Sequence, residues 1–204
     1  MGSYSTQIGS LIEFPGEVAA IVFYSDCAAK CPYCHNRGRI GGKSLSDVLK
    51  ELTEKRKYVT GVVLTGGEMT QSPDVMVLAS RAKEMGLKVK LHTNGSNPAV
   101  VGALRQYIDR VDVDIKTTPG RYYQTTGIGW ESVVETLAAA KGVPVHFHTT
   151  ICPDLIVASD MPEVLGALKG GFQTWKFQEC QLHGHGPLSC ADFEKAVALA
   201  QKIL

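Results

Sequence analysis

The 204 residues are 44% hydrophobic and 20% charged, with a formal net charge of +1, the balance of an ordinary globular chain with a substantial core. No basic stripe or acidic tail points to nucleic acid, and no apolar run approaches the roughly 20 residues that span a bilayer, so neither partner is expected. The N-terminus MGSYSTQIGS lacks the charged-then-apolar plan of a signal peptide; the expected location is cytoplasmic, where six cysteines suit metal chemistry better than a disulfide framework.

Residues 1–16 read as an N-terminal extension. EVAAIVFY (17–24) reads as a buried strand, and the loop after it holds Cys27, Cys31 and Cys34. SLSDVLKELTEKRK (44–57) reads as a helix: Ser44 caps it with Asp47 three residues on, and Leu45, Val48, Leu49 and Leu52 share one face. YVTGVVLT (58–65) is the next strand. SPDVMVLASRAKEMG (72–86) has Ser72 at a helix cap, Pro73 at the first position and Gly86 past the end. LKVKLHT (87–93) is a strand, 97–107 a helix, RVDVDIK (110–116) a strand, 130–142 a helix ending in Gly142, and VPVHFHTTI (143–151) a strand. A helix over 159–170, a strand over 172–179, a loop over 180–190 and a helix over 190–204 complete the chain.

Six strand-then-helix units imply an α/β fold with a parallel sheet, because each crossover helix returns the chain to the same end. An eight-unit barrel typically needs about 250 residues. A partial (β/α)6 barrel in a single domain over 1–204 therefore fits, with a doubly wound open sheet as the alternative.

Chemistry in parallel α/β folds sits where strands end at their carboxyl side. Here those ends carry the cysteine loop, then Gly66-Gly67-Glu68, then His92 to Gly95, then Asp114 and Lys116, then His146 and His148 with Thr149 and Thr150, then Gln178, Glu179 and Cys180. Thiolates select zinc, copper(I) or iron–sulfur clusters. A structural zinc site is normally closed by four ligands. The C-x3-C-x2-C loop offers three, and His35, beside Cys34, points elsewhere. Three cysteines on one loop can hold three corners of a cubane cluster, with the fourth iron open to a small molecule. Zinc remains the alternative.

CAAKCPYCHN resembles the cysteine loop of the radical S-adenosylmethionine (SAM) enzymes, and GGE resembles that superfamily's second motif. YCHN is similar to the same loop in glycyl-radical-enzyme activating proteins. SLIEFPGEVAAIVFYSDC, LHTNGSNP, DVDIK and FHTTICP resemble the anaerobic ribonucleoside-triphosphate reductase activating protein family. The resemblance implies a [4Fe–4S] cluster on Cys27, Cys31 and Cys34, with SAM chelating the open iron. It implies SAM contacts from Tyr33 (adenine), Gly66, Gly67 and Glu68 (amino group), Asn94 and Asp114 (ribose or site order) and Lys116 (carboxylate), with His92 and His148 nearby. It implies reductive cleavage of SAM to a 5′-deoxyadenosyl radical, a glycyl radical enzyme as partner and a flavodoxin- or ferredoxin-like electron donor. The chain departs from the family at Met69, where Pro is frequent; at His92, where Asp helps a cation site; and at His148, where Arg is frequent.

Cys180, His183, His185 and Cys190 are zinc-competent types at a spacing that matches no zinc module, so they read as a loop lining the open end of the barrel. Cys152 reads as a core or loop thiol.

Overall fold

Among the described residues, seven strands lie side by side in the order of the chain: β1 (Tyr4–Ser10), β2 (Ala19–Tyr24), β3 (Gly61–Gly66), β4 (Lys88–Thr93), β5 (Arg110–Asp114), β6 (Val145–Ile151) and β7 (Thr174–Glu179). The structure, a computed structural model, describes residues 4–34, 36, 41–152, 155–168, 172–179, 194 and 198. His35, the stretch from Cys180 to Cys190 with its candidate metal ligands, and most of the expected last helix lie outside the described residues.

β2 to β7 pair in parallel, and a helix stands in every connection between them. These are α1 (Leu45–Lys55), α2 (Val75–Glu84), α3 (Pro98–Leu104), the short α4 (Tyr122–Thr126) with α5 (Trp130–Ala139), and α6 (Met161–Leu168). The expected partial barrel of six parallel strands is the observed architecture. The α1 start is capped as read: Ser44 Oγ accepts from Asp47 N at 3.2 Å, and Asp47 Oδ2 accepts from Ser44 N at 2.9 Å. Gly86 and Gly142 take left-handed φ values of 80° and 93° where α2 and α5 give way to the next strand.

Alternation along the strands sorts residues onto two faces. Val62, Leu64, Val89, Leu91, Val111, Val113, Val145 and Phe147 face the helices in one continuous core. Each fully buried side chain of this kind contributes about 1.5–3 kcal/mol. The inner face is divided. On β2 and β3 it is apolar, with Ala19, Ile21 and Val63 packed around Phe14. On β4 to β6 the residues between the core positions are Lys90, His92, Arg110, Asp112, His146 and His148, and all but His92 and His148 bring charge or a buried ring there.

Two expectations change. Within the expected N-terminal extension, Tyr4–Ser10 is built into the sheet: β1 pairs antiparallel with β2, and Tyr4 is fully buried, its hydroxyl 2.5 Å from Ser72 Oγ and donating to Asp74 Oδ2 at 2.9 Å. YSTQIGS offers too few apolar residues to announce a strand, because only Tyr4 along it is buried. The second helix begins at Val75 rather than at a Ser72 cap. Ser72 instead closes a 3₁₀ turn over Met69–Gln71, and its hydroxyl serves Tyr4 and the Asp74 amide.

Phe14 shows how much the N-terminal segment contributes. Its ring lies against Gly61, where any Cβ would crowd it. Replacing Phe14 with Ala is expected to destabilise the protein by about 3–5 kcal/mol, read from urea denaturation; a change below about 1 kcal/mol would show that residues 1–16 are an appendage.

Candidate active site

The cysteine loop has no helix or strand of its own over 25–34, so its shape rests on tethers. The Asp26 carbonyl accepts from Glu68 N at 2.8 Å, Ala28 N donates to Gln71 Oε1 at 3.0 Å, and Lys30 N donates to the Thr126 carbonyl at 2.9 Å. Within the loop Cys34 N donates to the Cys31 carbonyl at 3.2 Å, and just beyond it Asn36 Nδ2 donates to the Gly66 carbonyl at 3.1 Å. The two glycines after β3 make the close approach possible. Gly66 has φ 115°, and a Cβ there would strike the Tyr24 backbone. A Cβ on Gly67 would run into the Asp26 carbonyl.

Glu68 is almost fully buried at 1% exposure, and its carboxylate binds its own chain. Oε1 accepts from Thr70 N (3.0 Å), Thr70 Oγ1 (2.6 Å) and Thr93 Oγ1 (2.9 Å), while Oε2 accepts from Asn94 N (2.7 Å). Burial pushes its pKa up, against the pull of these donors from Asn94, Thr70 and Thr93. Oε2 keeps one lone-pair direction for a further donor. Asn94 continues the chain of contacts: its Oδ1 accepts from Ser96 N at 2.9 Å, and its Nδ2 lies 3.6 Å from Cys27 Sγ.

An open cleft stands over these strand ends. Cys27, Cys31, Tyr33, Cys34, Gly66, Gly67, Glu68, His92, Asn94, Asp114 and Lys116 line it, so eleven of the twelve expected site residues meet there. Ala29, Asn36, Thr65, Thr93, Thr150 and Gln178 complete the wall. Cys31 and Tyr33 are buried together with Cys152 beneath it. The Lys116 ammonium lies 3.2 Å from Asp114 Oδ2 and 5.9 Å from the centre of the Tyr33 ring. Burial alone would lower the Lys116 pKa, but Asp114, Tyr33 and Cys31 raise it well above the usual lysine value, so a fixed cation stands in the cleft. Burial also raises the Cys27 and Cys31 thiols.

His148 is the residue that lies elsewhere. It sits on the inner face below the cleft, with Nε2 2.8 Å from Asp112 Oδ2, and His92 Nε2 is 3.3 Å from the same oxygen. Neither contact has hydrogen-bond geometry. The two nitrogens and the Asp112 oxygen lie within 4.8 Å of one another. They do not make a convincing cation site, because Asp112 is already matched by two cations. Arg110 donates Nε to Oδ1 at 2.5 Å and Nη2 to Oδ2 at 2.9 Å, and Lys90 Nζ lies 2.8 Å from Oδ2 while also donating to the Glu13 carbonyl. A dication there would face two positive neighbours in a dry interior. Burial would raise the Asp112 carboxyl, yet His148, His92 and Arg110 hold it far below the ordinary range.

Residues 21–165 match the family model described as the radical SAM superfamily. This chain belongs to the radical SAM superfamily. A protein of Methanocaldococcus jannaschii named as a glycyl-radical enzyme activating enzyme is 27% identical over 175 residues, 78% of this chain and 72% of that one. The pyruvate formate-lyase-activating enzyme of Clostridium pasteurianum is 29% identical over 165 residues, 74% of this chain and 69% of its own. In fold, the chain is similar to Streptococcus suis SuiB bound to S-adenosylmethionine, with a TM-score of 0.66 at 16% identity; the match covers 81% of this chain and 41% of SuiB.

Radical SAM enzymes use a [4Fe–4S] cluster and SAM, and the site's donor set fits both. Cys27, Cys31 and Cys34 line the cleft together and offer three thiolate ligands to a cluster. The cleft beside them offers a carboxylate, an amide and a fixed ammonium to a zwitterionic ligand. Sequence reasoning missed Asp26, Gln71 and Thr126 as loop anchors, Thr70 and Thr93 as partners of Glu68, and the Lys90–Arg110–Asp112 network. Of these, only the KVKLHT and RVDVDIK patterns carried a signal, since charged residues alternate with apolar ones in both.

Burial holds His92 and His146 below the ordinary imidazole pKa. The unfolded chain takes up those protons near pH 6.5 while the folded one resists them, so their share of stability is complete above about pH 6.5 and is lost as pH falls below it. The urea midpoint should therefore drop between about pH 7.5 and 5.5, and less steeply in His92→Gln. An equal slope in that variant would remove His92 from the account.

Proposed function

We propose that this radical SAM enzyme activates a glycyl radical enzyme, with an anaerobic ribonucleotide reductase or a similar protein as the partner. The observation that supports the reading is the alignment of about three quarters of the chain with activating enzymes, carried onto a cleft where the three-cysteine loop sits on Gly66-Gly67-Glu68. The likeness to SuiB extends to the fold alone, so a radical modification of another peptide, an RNA or a small molecule is the second reading.

In this proposal Cys27, Cys31 and Cys34 hold the [4Fe–4S] cluster, which when bound supplies the electron that cleaves SAM to methionine and a 5′-deoxyadenosyl radical able to take hydrogen from a backbone glycine. The chain's own part is binding and orientation. Oε2 of Glu68 keeps a lone pair for the SAM ammonium, and the high Lys116 pKa keeps a charge for its carboxylate. Asp114 holds the Lys116 ammonium in place. Tyr33, packed below Lys116, forms an apolar floor for the adenine. Thr93 and Asn94 order the Glu68 carboxylate, and His92 borders the ligand. The electron donor in this reading is flavodoxin- or ferredoxin-like, and the setting is cytoplasmic. Among the described residues no helix is long and apolar enough to cross a membrane.

Anaerobic reconstitution should load close to four irons per chain and release 5′-deoxyadenosine from SAM under strong reductant. Cys31→Ala should abolish both. Mixing with candidate partners should give the glycyl-radical doublet by EPR. SAM cleavage with no doublet from any candidate would favour the second reading, and stoichiometric zinc without SAM cleavage would sink both.

A further inference from the structure

Asn94 is fixed at three points, and the third is a cysteine sulfur. Its backbone amide donates to Glu68 Oε2 at 2.7 Å. Its side-chain oxygen is identified by what it accepts, the Ser96 amide at 2.9 Å. An amide side chain has one acceptor end and one donor end, so the end that meets Cys27 Sγ at 3.6 Å must be the NH₂. The residue is 4% exposed and directly follows the end of β4 at Thr93. The Ala29 amide also donates to Cys27, so this sulfur receives one donor from its own loop and one from the neighbouring strand end.

We infer that Asn94 is a positioning residue that sets the reduction potential of the cluster through Cys27. The inference rests on the proposal that the three cysteines hold a [4Fe–4S] cluster. One-electron reduction adds negative charge without a proton, and part of that charge spreads onto the ligating sulfurs. A donor aimed at a sulfur stabilises the reduced state more than the oxidised one and raises the potential. Glu68 therefore acts at one remove on the metal centre, because it anchors the backbone from which Asn94 reaches across. The arrangement joins three strand ends, β2 through Cys27, β3 through Glu68 and β4 through Asn94.

The test compares anaerobically reconstituted wild type, Asn94→Ala and Asn94→Asp by EPR-monitored redox titration, with iron per chain measured in each. Asn94→Asp keeps the side chain's shape, so it guards against a mere packing loss. Both variants should hold the wild-type amount of iron. Both should show a midpoint potential shifted to more negative values, further for Asp, whose carboxylate would stand against the sulfur in place of the donor. At one fixed dithionite potential the fraction of reduced cluster should fall in the same order. Wild-type potentials in fully loaded variants would overturn the inference. Loss of iron in both variants would overturn it too, because Asn94 would then build the loop rather than tune the centre. A wild type that assembles no cluster at all would defeat the proposed function itself, a result distinct from either.

Discussion

The carboxylate of Glu68 accepts four hydrogen bonds from its own chain, and the reactive end of the sheet depends on that arrangement. Its partners come from the turn after β3 and from the end of β4, so one buried side chain sets the relative height of two strand ends. The Glu68 amide meanwhile donates to the Asp26 carbonyl, which places the cysteine loop at the end of β2. A buried carboxylate without donors would cost several kcal/mol, and even one lost partner leaves an unsatisfied buried group worth about 1–3 kcal/mol. The two glycines before it serve the same arrangement by removing the side chains that would hold the strand ends apart.

The inner face shows a second constraint. Half of it is closed by Phe14, Ile21 and Val63, and half holds an ion network about Asp112. Fully apolar residues of similar volume would often be as stable as such a network, so its presence is weak evidence for stability. What it supplies is fixed orientation. Arg110 grips both carboxylate oxygens and Lys90 spans from Asp112 to the Glu13 carbonyl, so the carboxylate beneath His92 and His148 is held in one orientation.

Most of the parallel sheet was legible because β-branched runs alternate with capped helices, and parallel order forces all strand ends to one side. That topology alone explains why residues as far apart as Cys27 and Lys116 line one cleft. β1 was not legible, since its polar alternation gains meaning only from pairing with β2. The side-chain contacts of Asp112 depend on register: His92 stands opposite Asp112 across β4 and β5, and Asp114 stands opposite His148 across β5 and β6. No linear pattern reveals such neighbours. The same holds for Gln71 and Thr126, ordinary residues whose value to the site lies in where their oxygens fall.

The cysteine loop is tied by backbone and side-chain hydrogen bonds at Asp26, Ala28 and Lys30, and none of these ties involves a thiol. The loop's course is therefore set by groups from other elements, and a substitution at Gln71 would loosen one wall of the cleft without touching a cysteine.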